Sequence, residues 1–212
     1  MPEAFVVGLL GAESTGKTVL AQALAQALRR SHGLDAAWVA EWLRPWCEQH
    51  GRTPRRDEQA GIAATQSALI EQAARRHEIV IADTTALMTA VYSHIVFGDD
   101  SLDATAVVAH RRCQLTLLTG LDMPWEPDGL QREGPHVRAP VDARVRRLLD
   151  AHGIGYSLVL GSGEQRLQGA LQAILHHLAR RERSLPPAPA PAGGARRATA
   201  PSGLPAAGSS PA

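Results

Sequence analysis

An α/β fold, with a mainly parallel sheet covered by helices, is what the order of this chain predicts. Short apolar runs alternate with amphipathic stretches along residues 1–183, the pattern of strands connected through helices. The first apolar run leads through the loop Gly11-Ala-Glu-Ser-Thr-Gly16-Lys17-Thr18 directly into a helical pattern. Lys17 is the only lysine, the other 21 of the 22 Lys and Arg side chains being arginine. The loop fits G-x-x-x-x-G-K-[ST], the phosphate-binding loop of nucleoside-triphosphate proteins. These observations narrow the class to a three-layer sandwich of P-loop NTPase type.

The elements follow in order. Ala4-Phe-Val-Val-Gly-Leu-Leu10 is apolar and holds β-branched and aromatic residues, as a buried parallel strand does. Leucines at helical spacing among strong helix formers then predict a helix over 17–31. Further apolar runs predict strands at Ala36-Ala-Trp-Val-Ala40, Ile79-Val-Ile-Ala82, Gln114-Leu-Thr-Leu-Leu118 and Tyr156-Ser-Leu-Val-Leu160. Amphipathic stretches between them place helices over 57–76, 84–96, 102–111, 140–152 and 164–182.

From Ser184 to Ala212 the chain turns Pro-, Ala-, Gly- and Ser-rich and lacks the large apolar residues that offset ordering entropy. The expected organisation is therefore one kinase-sized α/β domain over 1–183 and a disordered tail over 184–212. A formal net charge of +1 gives no electrostatic case for nucleic-acid or membrane partners. No apolar stretch approaches the roughly 20 residues that span a bilayer. The N-terminal apolar run lacks a basic region before it and runs into the phosphate loop, so it does not read as a signal peptide. Cys47 and Cys113 show no metal or redox spacing, and a cytoplasmic location is the default expectation.

In open sheets of this kind ligands sit beyond the carboxyl ends of the strands. Within the loop, Gly11, Glu13, Ser14, Thr15, Gly16, Lys17, Thr18 and Val19 are expected to surround the phosphates of ATP through backbone N–H groups and the helix N-terminus. A compact ammonium at Lys17 suits a point contact between phosphate oxygens better than a planar guanidinium. The Thr18 hydroxyl is placed to meet Mg²⁺. Glu13 either contacts substrate or faces solvent.

Asp83, followed by Thr84 and Thr85, ends an apolar strand, the place where an acidic residue holds Mg²⁺ in phosphate-loop proteins. Capping of the next helix is the competing role, and the two are compatible. Glu41 follows the second strand, where a carboxylate can accept the proton of an attacking hydroxyl. Arg44, three residues on, is expected to grip substrate or the transferring phosphate; a surface ion pair is the plainer alternative. Trp42, Trp46 and Trp125 are aromatic platforms near strand ends, or packing residues. Leu121 to Arg138 is polar, punctuated by proline and glycine, and predicts a lid that delivers an arginine, Arg132 or Arg138, to developing charge. The histidines show no ligand spacing.

Several of these segments together resemble one family. The loop at 11–18 with its glutamate, Glu41-Trp-Leu-Arg44, Asp83 through Ser93 with Val96-Phe-Gly98, and Asp122-Met-Pro-Trp125 with Asp128-Gly129 are similar to the ribosylnicotinamide kinase domain of the bacterial regulator NadR and its stand-alone relatives. The resemblance runs over most of residues 5–175. It implies a kinase using ATP and Mg²⁺ that phosphorylates the 5′-hydroxyl of nicotinamide riboside, a small-molecule nucleoside. Carried over by position, Lys17, Glu41, Asp83 and a lid arginine, Arg132, serve catalysis, and Thr18 and Asp83 the metal. Glu41, Trp42, Arg44, Thr84, Trp125 and Asp128 then face the riboside. Gln131 stands where the family carries an arginine, with Arg132 one place later. Neither a helix-turn-helix nor a His-x-Gly-His module occurs in these residues, so neither repression nor adenylyl transfer is expected. Outside this class stands an ATP-hydrolysing switch without acceptor. A GTPase is disfavoured because the guanine-reading Asn-Lys-x-Asp element needs asparagine and the chain has none. Nucleic-acid binding rests only on arginine pairs such as Arg55-Arg56 and Arg146-Arg147, which read better as solvated helix faces.

Overall fold

The computed structural model describes residues 3–126 and 134–184, with the side chains of Glu182 and Ser184 left aside. Five strands form one wholly parallel sheet: β1 (Phe5–Leu10), β2 (Ala36–Val39), β3 (Ile79–Asp83), β4 (Leu115–Thr119) and β5 (Ser157–Val159). Their order is β2-β3-β1-β4-β5, so the chain crosses from β1 to the edge strand β2, returns through β3 beside β1, and then works outward through β4 and β5 on the other side. The crevice at the carboxyl end of β1 is thus the topological switch point, where such sheets bind ligands. Register is pinned by pairs such as Val7↔Ile81 and Val7↔Leu115.

The helices are α1 (Lys17–His32), α2 (Leu43–His50), α3 (Gln59–Ala74), α4 (Ala86–Phe97), α5 (Asp103–His110), α6 (Arg138–Ala151) and α7 (Gly163–Ser184). Strand residues alternate between faces, and each face is apolar. Phe5, Val7 and Leu9 of β1 pack with Ile79 and Ile81 against Leu20, Leu24 and Leu28 of α1 and Leu171 and Ile174 of α7. On the opposite face Leu10 and Leu118 meet Leu87 and Val91 of α4 and Val141, Val145 and Leu149 of α6. Val6, Val80 and Ala82 meet Ile70 of α3 there. Burial on both faces is why the strands read as continuous apolar runs.

All five expected strands and all six expected helices are present, their ends within two residues of the expected ones, with a 3-10 turn at Arg56–Glu58 preceding α3. The helix α2 is additional. Its Pro45 lies in the first turn, where the missing N–H breaks no internal hydrogen bond, so the proline does not exclude a helix. Asp128, Arg132 and residues 185–212 of the expected tail lie outside the described residues. No helix among the described residues is long and apolar enough to cross a membrane.

Candidate active site

The loop between β1 and α1 is shaped by two backbone constraints. Gly11 adopts φ 144°, and a Cβ there would stand 2.0 Å from Thr119 Oγ1, so no side chain fits. Gly16 adopts φ 69° immediately before α1, which opens with Lys17 and therefore presents its free N–H groups to the loop. Hydrogen bonds within the loop hold this curve. Thr15 donates to the Ala12 carbonyl at 2.7 Å, and Thr119 of β4 lies 2.7 Å from Thr15 Oγ1 and 3.1 Å from the Leu10 carbonyl oxygen. Lys17 reaches back across the loop, its Nζ 2.8 Å from the Ala12 carbonyl oxygen. Val19 points outward and is 72% exposed, so only its backbone is near the loop.

Asp83 ends β3 beside this loop and is 1% exposed, with neither carboxylate oxygen hydrogen-bonded among the described residues. Burial pushes its carboxyl above the ordinary carboxylate range, while the facing Thr18 hydroxyl and the charges of Lys17 and Arg44 pull it back down. The Thr18 hydroxyl faces the carboxylate without closing a hydrogen bond of normal geometry. A hard cation that takes oxygen ligands fits between Thr18 and Asp83, as Mg²⁺ held by one carboxylate and substrate phosphates does. No cluster of three or more His, Cys, Asp or Glu among the described residues offers a separate metal centre.

Thr84, next in the chain, is a β-branched residue at φ 74°, buried, its hydroxyl unpartnered. Such a conformation costs on the order of 1–3 kcal/mol and is kept only where its surroundings impose it. Those surroundings are visible. The Thr84 N–H donates to Leu9 and its carbonyl accepts from Gln66, while Thr85 caps α4 by accepting from the Leu87 N–H. Thr85 also bonds at 2.9 Å to Nδ1 of the buried His110, whose Nε2 bonds Thr116 at 2.9 Å. Burial pushes His110 down to about 4, so at neutral pH it is an uncharged bridge.

Glu41 and Arg44 form an ion pair at 3.5 Å at the start of α2, and both line one cleft with Lys17, Glu13, Thr84 and Tyr92. Ile62, Met88, Val96 and Phe97 contribute apolar lining to the same cleft. Gln66 of α3 sets the relation between its two acidic ends. Its Oε1 accepts the Trp42 N–H at 2.7 Å, and its Nε2 donates to the carbonyls of Ala40 (3.3 Å) and Thr84 (3.4 Å). One buried amide thus ties the turn carrying Glu41 to the turn carrying Asp83. Glu13 is 6% exposed; Tyr92 donates a long 3.5 Å bond to its Oε1, and its Oε2 has no partner.

The aromatic expectations fare differently. Trp42 lines a separate groove with Trp38, Pro45 and Leu69, while its N–H is bound to Gln66. Trp46 stacks on His50 with ring centres 3.9 Å apart, as a packing residue does. Trp125 does not line this cleft; it belongs to the segment after β4, and its indole N–H is buried without a partner among the described residues. That segment lies over the phosphate loop: Ser14 donates to the Glu126 carbonyl, and Met123 sits within 3.3 Å of where a Cβ on Gly16 would be. Arg138 donates to the Met123 carbonyl at 2.8 Å, which ties it down as an anchor of this segment.

Gln66, Tyr92 and Arg166 belong to the site and were not singled out from the sequence. Arg166 of α7 is 5% exposed and bonds the carbonyls of Thr15 and Gly161 and the Met123 sulfur. Burial lowers its basicity, partly countered by the charge of Asp122. Two signals were available. Gln66 is a polar residue at helical spacing between Ile62 and Ile70, and Arg166 is a cation in the first turn of a helix, where the dipole disfavours it.

The sheet order, the glycine-shaped loop and the lysine at the start of α1 define a phosphate-loop nucleotide-binding protein. More specifically, residues 6–166 match the model of an AAA domain family, and the chain belongs to that family. No curated protein matches its sequence. Among solved structures, NadR in complex with NAD and AMP-PNP is similar at TM-score 0.66 and 20% identity, over 83% of this chain and 50% of that one. NadR in complex with NR gives the same score and identity, over 83% and 52%. Thymidylate kinase from Ehrlichia chaffeensis follows at TM-score 0.56 and 12% identity, over 84% and 100%. The chain therefore spans about half the length of the NadR chains it resembles, and the likeness is one of fold.

Proposed function

We propose that this protein is an ATP-dependent kinase that transfers the γ-phosphoryl group to the 5′-hydroxyl of nicotinamide riboside. The observation that carries this reading is the one cleft lined by Glu41, Arg44 and Lys17 together. A nucleotide needs the phosphate loop; the further lining, part polar and part apolar, suits a small acceptor. The fold likeness to a thymidylate kinase and to NadR, with the latter seen in complex with NR, agrees with an acceptor of nucleoside size.

In this reading Lys17 neutralises phosphate oxygens, and the loop N–H groups orient the β- and γ-phosphates for in-line transfer. Thr18 and Asp83 would hold Mg²⁺, which offsets charge on the phosphates when bound. Glu41 accepts the proton of the acceptor hydroxyl as its oxygen bonds phosphorus and the bond to the ADP oxygen breaks. Arg44 orients Glu41 through their ion pair and would grip the acceptor or the transferring phosphate. A lid arginine, Arg132 or Arg138, would meet the developing charge. Phosphoryl transfer asks little covalent chemistry of the protein, so positioning by Gln66 and the anchored turns carries much of the work.

The test is Glu41→Gln, which keeps shape and removes the base. Turnover should drop by about 10²–10⁴ while the affinity for Mg-ATP stays within a few-fold. Turnover near the wild-type rate would remove Glu41 from the mechanism.

A further inference from the structure

Glu13 sits inside the phosphate loop, yet its side chain turns to the acceptor cleft. It is more than nine-tenths buried, its Oε2 is bare of hydrogen bonds, and it lines the cleft with Glu41, Arg44 and Tyr92. A carboxylate oxygen withdrawn from water without a donor is costly, and the neighbouring Tyr92 hydroxyl supplies only a 3.5 Å contact to the other oxygen. Burial together with the negative charges of Glu13 and Glu41 holds the Tyr92 phenol far above its ordinary value, so it remains a donor. The Glu13–Tyr92 pair is a docked acceptor site facing inward.

We propose that Glu13 Oε2 receives a hydrogen bond from a hydroxyl on the sugar of the acceptor, and so selects ribosides over deoxyribosides. The placement limits what it can meet. Glu13 belongs to the loop that holds the phosphates, and its side chain is short, so it reaches acceptor atoms next to the reacting oxygen. In a nucleoside whose 5′-oxygen attacks phosphorus, those atoms are the sugar and its hydroxyls, not the base. The apolar lining residues Ile62, Met88 and Phe97 are then left for the base. A site built to bond a hydroxyl rejects the analogue lacking it far better than an apolar pocket rejects an extra methylene. This inference rests on the acceptor-kinase reading above and adds which part of the acceptor is read.

The experiment compares kcat/KM for nicotinamide riboside with that for its 2′-deoxy and 3′-deoxy analogues, in wild type, Glu13→Gln and Tyr92→Phe, at saturating Mg-ATP. Wild type should lose about 10- to 100-fold on whichever analogue lacks the bonded hydroxyl, the range for a hydrogen bond to a charged group. Glu13→Gln should lose a similar factor on the riboside and much less on that analogue, so that the discrimination collapses. Tyr92→Phe keeps the carboxylate and should retain most of it. Thermal unfolding and Mg-ATP affinity of Glu13→Gln show whether fold and phosphate loop are intact. Equal losses on riboside and analogues, or none on any, overturn the role of Glu13 while leaving the kinase intact. No turnover of the riboside by wild type overturns the kinase reading and this inference with it.

Discussion

Asp83 holds two carboxylate oxygens in a dry site between a lysine and a threonine, an arrangement that stability alone does not favour. Removing one charge from water costs several kcal/mol unless partners compensate, and here the Thr18 hydroxyl and the charges of Lys17 and Arg44 offset burial only in part. The physical consequence is a stability–function conflict at one residue. Asp83→Asn keeps the shape and deletes the partly compensated charge, so the ligand-free protein should melt at a higher temperature while riboside phosphorylation falls by at least about 100-fold. A lower melting temperature with near-normal turnover, measured by calorimetry and a coupled ADP assay, would contradict the assignment. Thr84 belongs to the same account. Its left-handed backbone is held by Leu9, Gln66 and the capped start of α4, and that strain keeps Asp83 pointing at the loop.

Among the elements, the start of α4 and the start of β4 are joined by His110, bonded to Thr85 on one side and Thr116 on the other. Its folded value near 4 lies below the ordinary 6.5. Between those values the unfolded chain binds a proton that the folded chain does not, so folding stability falls as pH is lowered through that window. At pH 4.5 the wild-type protein should have lost roughly 2–3 kcal/mol relative to pH 7 from this group. His110→Gln lacks the titration, so the stability gap between wild type and variant, from urea melts at both pH values, should shift by that amount. An unchanged gap would show that His110 titrates normally. Most elements were readable because burial on both sheet faces leaves unbroken apolar strands, and helices show their period. The helix α2 was hidden by Pro45, whose effect depends on its place in the turn. Trp42 shows why side-chain placement was not readable: it lines a separate groove, while its own N–H bonds Gln66, 24 residues away. Gln66 and Arg166 act through main-chain carbonyls of distant turns, and a linear sequence does not reveal which carbonyl will need a donor.

At the scale of the whole molecule, the strand order brings the carboxyl ends of β1, β2 and β3 to one rim. The phosphate loop follows β1, Glu41 follows β2, and Asp83 closes β3, so three turns far apart in sequence meet at one cleft. Segment 122–126 and Arg166 lie over the other side of the loop. Acceptor dependence tests the proposed phosphoryl transfer most directly. With Mg-ATP and wild-type protein, ADP should form many times faster when nicotinamide riboside is added, with an equal amount of nicotinamide mononucleotide identified by mass spectrometry. ADP formation at one rate with and without the riboside, and no mononucleotide, would contradict the account and point to hydrolysis or another acceptor.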